Sequence, residues 1–268
     1  RLKMEALRLY FRLIRISMQA RLQYRADFIM GILNVIALNA VNLGMIGILV
    51  YRFTNLNGWE IWELVFLYCL WLLGHSIYSL FFWHFWELEE YLVQGTFDQF
   101  LLRPASVFIQ FLGREVQYIG FADVFVAVSG LSLAYANLNL HWSAAEWLFF
   151  VIVVFSGTVI ETTLILMMAC ISFWTGRSSM GIELVVEFNQ LVQHYPVDIF
   201  GAWFRVVVTG LIPVAFMNYY PALILLDKFN HQGGWWLGYL SPIVALLLIG
   251  ITAGVWHLAL RRYSSSGG

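Results

Sequence analysis

Long apolar runs separated by short polar segments dominate the chain from residue 27 onward. The hydrocarbon core of a bilayer is about 30 Å thick, so a helix of about 20 apolar residues crosses it. Six runs reach that length, which predicts an all-α, polytopic membrane protein with six transmembrane helices and both termini on the same side. The predicted spans are residues 27–51, 61–86, 108–136, 145–174, 180–226 and 235–260.

The fifth run differs from the others because polar residues and prolines interrupt it. Pro196, Pro213 and Pro221 each remove a backbone donor and disfavour a straight helix. Irregular backbone at membrane depth is tolerated only where protein or water covers it. We therefore expect a helix that crosses the membrane, followed by a re-entrant helical hairpin on the outer side at about residues 196–226.

The first 26 residues do not have the pattern of a span. At about 100° per residue, Arg8, Arg12 and Arg15 fall on one side of a helix, while leucines lie elsewhere around it. The pattern predicts an amphipathic helix, residues 1–26, in the plane of the cytoplasmic headgroups. Its arginines face either anionic lipid or a partner, and both interpretations stay open. Residues 27–262 are then the transmembrane domain, and residues 263–268 are a short tail.

Composition agrees with a membrane protein. Of the 268 residues, 61% are hydrophobic and 12% are charged, whereas soluble domains average about 45 to 50% and about 25%. The net charge of −1 argues against nucleic acid as a partner, because no basic excess exists to neutralise phosphates. Cys69 and Cys170 lie inside apolar runs and indicate neither a disulfide framework nor a metal site.

The distribution of positive charge predicts the orientation. If both termini are cytoplasmic, twelve of the fifteen Lys and Arg residues lie on the cytoplasmic side, and only Arg52, Arg205 and Lys228 lie outside. This asymmetry follows the positive-inside rule. We therefore expect a multi-pass protein with cytoplasmic termini, in contact with membrane lipids. The membrane is expected to be a bacterial-type cytoplasmic (inner) membrane, and an organellar inner membrane stays open.

The polar segment "YLVQGTFDQFLLRPAS" (91–106) stands between two very apolar runs. In the predicted orientation, Glu87 to Ser106 form a cytoplasmic loop between spans two and three. Gly95 is placed to end a helix that continues from span two, and Pro104 to begin the next one. The residues leave two interpretations open, a capped connector and a docking surface.

Family resemblance adds to this picture. The same segment, together with "YRADF" (24–28), "HYPVDIFGAWFR" (194–205) and "IPVAFMNYYPA" (212–222), resembles the permease subunits of ATP-binding-cassette exporters of the second type, in the branch with separately encoded ATPases. The resemblance implies two ATPase subunits and a second permease, identical or similar, as partners. It also implies that the loop is a coupling helix seated in the ATPase, and that the N-terminal helix touches the ATPase as well. The implied interface residues are Glu89, Glu90, Tyr91, Gly95, Thr96, Asp98, Leu102, Arg103, Pro104, Arg8, Arg12 and Arg15.

No phosphate-binding G-x-x-x-x-G-K-[ST] motif occurs in the chain. We therefore expect a chain that is not an enzyme by itself and holds no cofactor, with ATP and Mg²⁺ bound on the partner ATPase. No H-x-x-x-H or H-x-x-E-H pair occurs either, so a metal site is not expected, and an intramembrane metal-dependent enzyme is the least favoured alternative.

Several polar and aromatic residues fall inside the predicted spans. Asp123 and Glu161 are placed near the middle of spans three and four, where a carboxylate must face protein or a wet cavity. Structural hydrogen bonding and a place on a translocation path both stay open for them. Aromatic faces in span two suit an apolar or cationic cargo, and family analogy adds three residues of span five. The candidate path residues are His75, Phe82, Trp86, Asp123, Glu161, Glu187, Asn189, Gln190 and Gln193.

The predicted function is that of a permease subunit of an ATP-driven exporter. Its cargo is expected to be amphipathic or hydrophobic, such as a lipid, a glycolipid or a drug-like molecule, and the direction outward. The alternative is a structural or regulatory membrane subunit that tethers an ATPase without transport.

Overall fold

The computed structural model describes residues 25–52, 57–102, 106–112, 117–228 and 235–263, and every regular element in these ranges is a helix. The predicted all-α architecture is confirmed. In chain order the α-helices are α1 (Arg25–Arg52), α2 (Ile61–Phe82), α3 (Leu88–Val93), α4 (Asp98–Leu101), α5 (Val107–Leu112), α6 (Gly120–Asn137), α7 (Ala144–Ala169), α8 (Ser172–Thr175), α9 (Ser179–His194), α10 (Ala202–Val206), α11 (Tyr219–Leu225) and α12 (Ser241–Arg262).

Five of these regions are long and apolar enough to cross a membrane, and they include α1, α2, α6, α7 and α12. A sixth candidate is a bent pair, Ala202–Leu211 with Val214–Leu225, whose two halves meet at 80°. The chain is therefore a multi-pass membrane protein with five to six spans, as the apolar runs predict. Of the predicted amphipathic helix, 1–26, residues 1–24 lie outside the described residues, and residues 25–26 belong to α1. Of the predicted tail, 263–268, residues 264–268 lie outside them as well.

Helix α2 is the centre of the bundle, and α1, α6, α7 and α9 all pack against it. The most apolar 18-residue stretch of the helix from Ile61 to Val93 is 72% buried in the bundle. The corresponding stretch of α1 is only 11% buried. Two glycines let α6 approach closely. A β-carbon at Gly120 would lie 2.9 Å from the Ser76 carbonyl oxygen, and one at Gly130 would overlap the Cys69 sulfur. Small residues at such crossings allow tight packing between helices in a membrane.

The third span is predicted over residues 108–136, and its predicted first residue is wrong. Helix α5 ends at Leu112, Gln117 to Ile119 form a turn region, and α6 begins only at Gly120. The Gln117 amide donates to the Leu80 carbonyl at 3.0 Å, so this connection pairs with the end of α2 instead of continuing a helix. Asp123 therefore lies in the first turn of α6 and not near the middle of a span.

The fifth region is interrupted as predicted. Helix α9 ends at His194, before Pro196, and α10 continues as a π-helix, Val207–Leu211, up to the bend at Pro213. The expected interruption at Pro221 is wrong, because this proline is the third residue of α11. A proline there costs no helical hydrogen bond, since the first amides of a helix have no partner within it.

Candidate functional site

The described part of the loop, residues 87–102, is a structured module that follows α2. A 3₁₀ turn, Trp83–Glu87, joins α2 to α3. Gly95 adopts φ +69°, and its amide donates to the Leu92 carbonyl at 3.3 Å, so it ends α3 as the sequence predicts. Asp98 then begins α4.

Aromatic side chains hold the inner face of this module against the bundle. Phe97 is fully buried, and its ring contacts the rings of Phe173 and Tyr263 at centroid distances of 5.4 and 5.0 Å. Tyr91 packs edge-on against Phe100 and Phe111. The loop is thereby fixed to α5, to α8 and to the end of α12.

Two acidic residues of the loop bind other elements of the same chain. The Glu89 carboxylate accepts hydrogen bonds from the Ser178 and Ser179 amides, at 2.6 and 2.9 Å, and from the Ser178 hydroxyl at 3.1 Å. It therefore caps the positive N-terminal end of α9. The Asp98 carboxylate accepts a hydrogen bond from the Tyr263 hydroxyl at 2.8 Å, just beyond α12.

The outer face of the module is exposed and mixes apolar with acidic and amide side chains. Leu102 is 84% exposed and Val93 is 62% exposed. Glu90 and Leu102 of this face are predicted from the sequence, whereas its other exposed residues are not. A signal for some of them exists, because positions 90, 93 and 94 share one side of a helix. We call this the outer loop face, and it consists of Glu90, Val93, Gln94, Gln99, Leu101 and Leu102.

A cleft of about 410 Å³ adjoins the outer loop face. It lies between α3 and the start of α9, and Glu87, Glu89 and Glu90 line it together with Trp86 and the apolar Val93 and Ile182. Acidic and apolar side chains therefore line the cleft together, a combination that suits the apolar stem and charged end of a long cationic side chain.

The remaining residues predicted for the interface take other places. Thr96 is half-buried, and its hydroxyl donates to the Tyr91 carbonyl at 3.4 Å within the loop. Tyr91 is also half-buried, and its own hydroxyl donates to Glu87 at 3.1 Å. Arg103, Pro104, Arg8, Arg12 and Arg15 lie outside the described residues.

Inside the bundle, one polar contact joins α2, α7 and α9. His75 Nδ1 lies 2.8 Å from Oε1 of Glu161, and the Asn189 side-chain amide donates to the same oxygen at 3.4 Å. Glu161 is only 2% exposed. The requirement that this carboxylate face protein is thus met, and three of the predicted path residues lie together.

A second polar contact joins α1, α2 and α6. The Asn39 side-chain amide donates to Asp123 at 2.8 Å, the Tyr68 hydroxyl donates to Asn39 at 2.7 Å, and the Asn42 amide donates to the Tyr68 hydroxyl at 3.2 Å. Sequence reasoning missed Asn39, the partner of Asp123, and it missed Tyr68 and Asn42, which extend the contact. Asparagines inside an apolar run were the available signal, because amides at membrane depth need partners.

Aromatic rings and polar groups connect the two contacts along α2 and α9. Trp71 stacks on His75 at 4.6 Å between ring centroids, and Tyr68 lies 5.6 Å from the ring of His194. Four buried polar atoms here have no hydrogen-bond partner within the described residues, a condition that marks a place for further polar contacts. They are Glu161 Oε2, Asn189 Oδ1, Gln193 Oε1 and His194 Nε2.

The structure does not bring all the predicted path residues together. Glu187 and Gln190 are exposed on the outward side of α9, while Phe82 and Trp86 are half-buried at the end of α2 near the loop. Cys69 and Cys170 are buried and unpaired. In the part of the chain that the structure describes, no group of three or more His, Cys, Asp or Glu side chains is placed to hold a metal ion.

Comparison with known proteins gives one match. A family model described as "ABC-2 family transporter protein" matches residues 36–267. The matched range runs from within α1 to beyond α12 and includes the loop, the acidic cleft and both intramembrane contacts. No curated protein and no solved structure matches the chain.

Proposed function

The chain belongs to the ABC-2 transporter family, and from that premise we propose that it is the permease subunit of an exporter that a separate ATPase subunit drives. The ATPase docks on the outer loop face, and the cargo is amphipathic or hydrophobic and moves outward. ATP and Mg²⁺ bind to the ATPase, and this chain supplies the membrane path. Two ATPase subunits and a second permease complete the complex, with the termini on the cytoplasmic side of a bacterial-type inner membrane.

The observation that carries this proposal is the pair of bonds between the loop and distant helices. Glu89 holds the first turn of α9, and Asp98 holds Tyr263 at the end of α12. A force on the outer loop face would therefore move α9 and α12 with it, because these charged or buried hydrogen bonds are stronger than average. A loop that only connected two spans would not need such bonds.

The docking surface has the character of a protein interface. Val93, Leu101 and Leu102 expose apolar surface that a partner would bury. The acidic cleft beside them suits an Arg or Lys of the ATPase, since charge complementarity orients partners. The N-terminal arginines predicted for the same interface belong to this proposal as well.

The proposed path passes α9. We place this helix, which begins the predicted fifth span, at membrane depth. Glu183, Glu187 and Gln190 are exposed on one side of it, and carboxylates at that depth do not face lipid tails. This side of α9 therefore faces a wet path or the second permease. His75, Glu161 and Asn189 lie on the opposite side, where movement of α9 would open their contact. The aromatic residues of α2 beside them favour a cargo with an apolar body.

The test separates docking from coupling. The chain is co-purified with its ATPase in mild detergent, and ATP hydrolysis is measured on the complex. We expect Val93→Arg with Leu102→Arg to abolish co-purification, because both changes place charge in the apolar part of the interface. We expect Glu89→Gln to keep the ATPase bound but to lower cargo-stimulated ATP hydrolysis, because the cap on α9 loses its charge.

Ala136→Arg with His141→Arg is the matched control, because both positions are exposed and lie at and beyond the end of α6 that is remote from the loop. Loss of binding only with the outer-face variant supports docking there. If no ATPase associates with the wild-type chain, the proposed function is wrong. Intact binding without any cargo stimulation, in the wild type as well, favours a tethering subunit that transports nothing.

A further inference from the structure

A second cavity, of about 470 Å³, lies between α5, α7 and α12. It is separate from the outer loop face and from the contact of Glu161 with His75, although Phe82, one of the predicted path residues, lines it together with Phe85. Its volume is within the range of about 300 to 1,000 Å³ that is typical of small-molecule sites. Neither the family match nor the proposed function assigns a role to it.

The walls of this cavity are apolar even though threonines contribute to them. The Thr162 and Thr163 hydroxyls donate to the Thr158 and Val159 carbonyls of their own helix, at 2.6 and 2.7 Å. The Thr252 hydroxyl donates across to the Thr163 carbonyl at 3.4 Å. Because the hydroxyls are engaged with the backbone, methyl groups are left to line the cavity, and an apolar occupant is favoured.

The dimensions of the cavity match one leaflet. Along α12 its lining runs from Ile249 to Leu260, which is about 16 Å at 1.5 Å per residue. Half of the hydrocarbon core of a bilayer is about 15 Å thick. The cavity therefore extends through the leaflet at the carboxyl end of α12, over the depth that an acyl chain occupies.

The end of the cavity nearest the headgroups carries the cationic Arg261 beside the imidazole of His257. His257 lines the cavity, and Arg261 follows one turn later on the same side of α12. Both side chains are exposed. Asp98, which lies at the same end of α12, is engaged with the Tyr263 hydroxyl. Basic residues at this depth attract anionic headgroups.

We propose that this cavity binds one acyl chain of an anionic phospholipid, with the lipid phosphate beside His257 and Arg261. The apolar walls hold the chain, and the cationic end selects the headgroup. This lipid is a resident of the permease and not its cargo. The proposal does not depend on an ATPase, and it stands or fails separately from the proposed function.

Native mass spectrometry of the purified full-length chain tests the proposal. The chain is mixed with equal amounts of phosphatidylglycerol and phosphatidylcholine that carry the same acyl chains. We expect the wild type to retain phosphatidylglycerol about fivefold over phosphatidylcholine, the effect of one cation near a headgroup. Arg261→Gln should remove this preference, while Arg262→Gln, on another side of the helix, should keep it.

A cavity-filling change tests the acyl-chain part. Ala253→Phe places a ring in the cavity and should lower retention of both lipids roughly tenfold, the effect of about two lost methylene contacts. Ile251→Phe, on the same helix but outside the cavity, should leave retention unchanged. Equal retention by the wild type and Ala253→Phe, or no headgroup preference in the wild type, would overturn the proposal.

A crosslinking experiment on the wild type covers the case in which Ala253→Phe does not fold. Phosphatidylglycerol with a diazirine in its acyl chain is photolysed in membranes that contain the chain, and the labelled peptides are identified. We expect label in residues 159–166 and 249–260. Label spread evenly over these residues and the exposed side of α1 would contradict a specific site.

Discussion

At the scale of single residues, the pairing of half-buried His75 with buried Glu161 links α2 and α7. We predict that the two residues are energetically coupled, because removing either one takes away the shortest hydrogen bond of the other. A double-mutant cycle with His75→Phe and Glu161→Leu, measured by unfolding in detergent, should give a coupling of about 1 kcal/mol, as for polar pairs in other membrane proteins. Glu146→Gln, about 22 Å away along α7, is the control partner and should be additive with His75→Phe. A coupling near zero for His75 and Glu161 would contradict the contact. The need of Asp123 and Glu161 for partners is visible in the sequence, whereas the partners are not, since Asn39 and His75 are 84 and 86 residues away and no local pattern pairs them.

At the scale of elements, the crossing of α2 and α6 depends on glycine. We predict that Gly120→Ala lowers the free energy of unfolding by about 1 to 3 kcal/mol, because the new methyl group meets the fixed carbonyl of Ser76. Gly250→Ala in α12 is the matched control. It has no neighbour within 4 Å, and it should be neutral or stabilising, since alanine favours helices. Equal effects of the two changes on thermal unfolding in detergent would show that this crossing is not tight. Gly250 and Gly254 have the G-x-x-x-G spacing that is typical of close helix contacts. In the structure both face open space, which the spacing alone does not predict. The apolar runs predict the number and type of the spans because burial in lipid sets their length. They do not predict the late start of α6, because tertiary pairing of Gln117 with Leu80 decides it.

At the scale of the whole molecule, the polar side of α9 is the feature that a single chain in lipid does not explain. We predict that Glu187→Cys reacts with a membrane-impermeant maleimide in membranes, because the proposed path brings water to this face of α9. Leu246→Cys, exposed on α12, faces lipid and should not react. The native Cys69 and Cys170 are buried, so the background is low. The same residue should form a disulfide between two copies if the pair is homotypic. Protection of Glu187→Cys together with the absence of this disulfide would place the face against lipid and contradict the proposed path.

The carboxylate of Glu89 sets a rule for redesign of this permease. The N-terminal cap of α9 is Glu89, which precedes Ser178 by 89 positions. The loop therefore cannot be exchanged without affecting α9. A chimera that exchanges residues 87–106 to recruit a foreign ATPase would remove the cap of α9 and the partner of Tyr263 in the same step. Transplants that retain an acidic residue at both of these positions, or that bring the matching ends of α9 and α12 with them, are the ones expected to assemble.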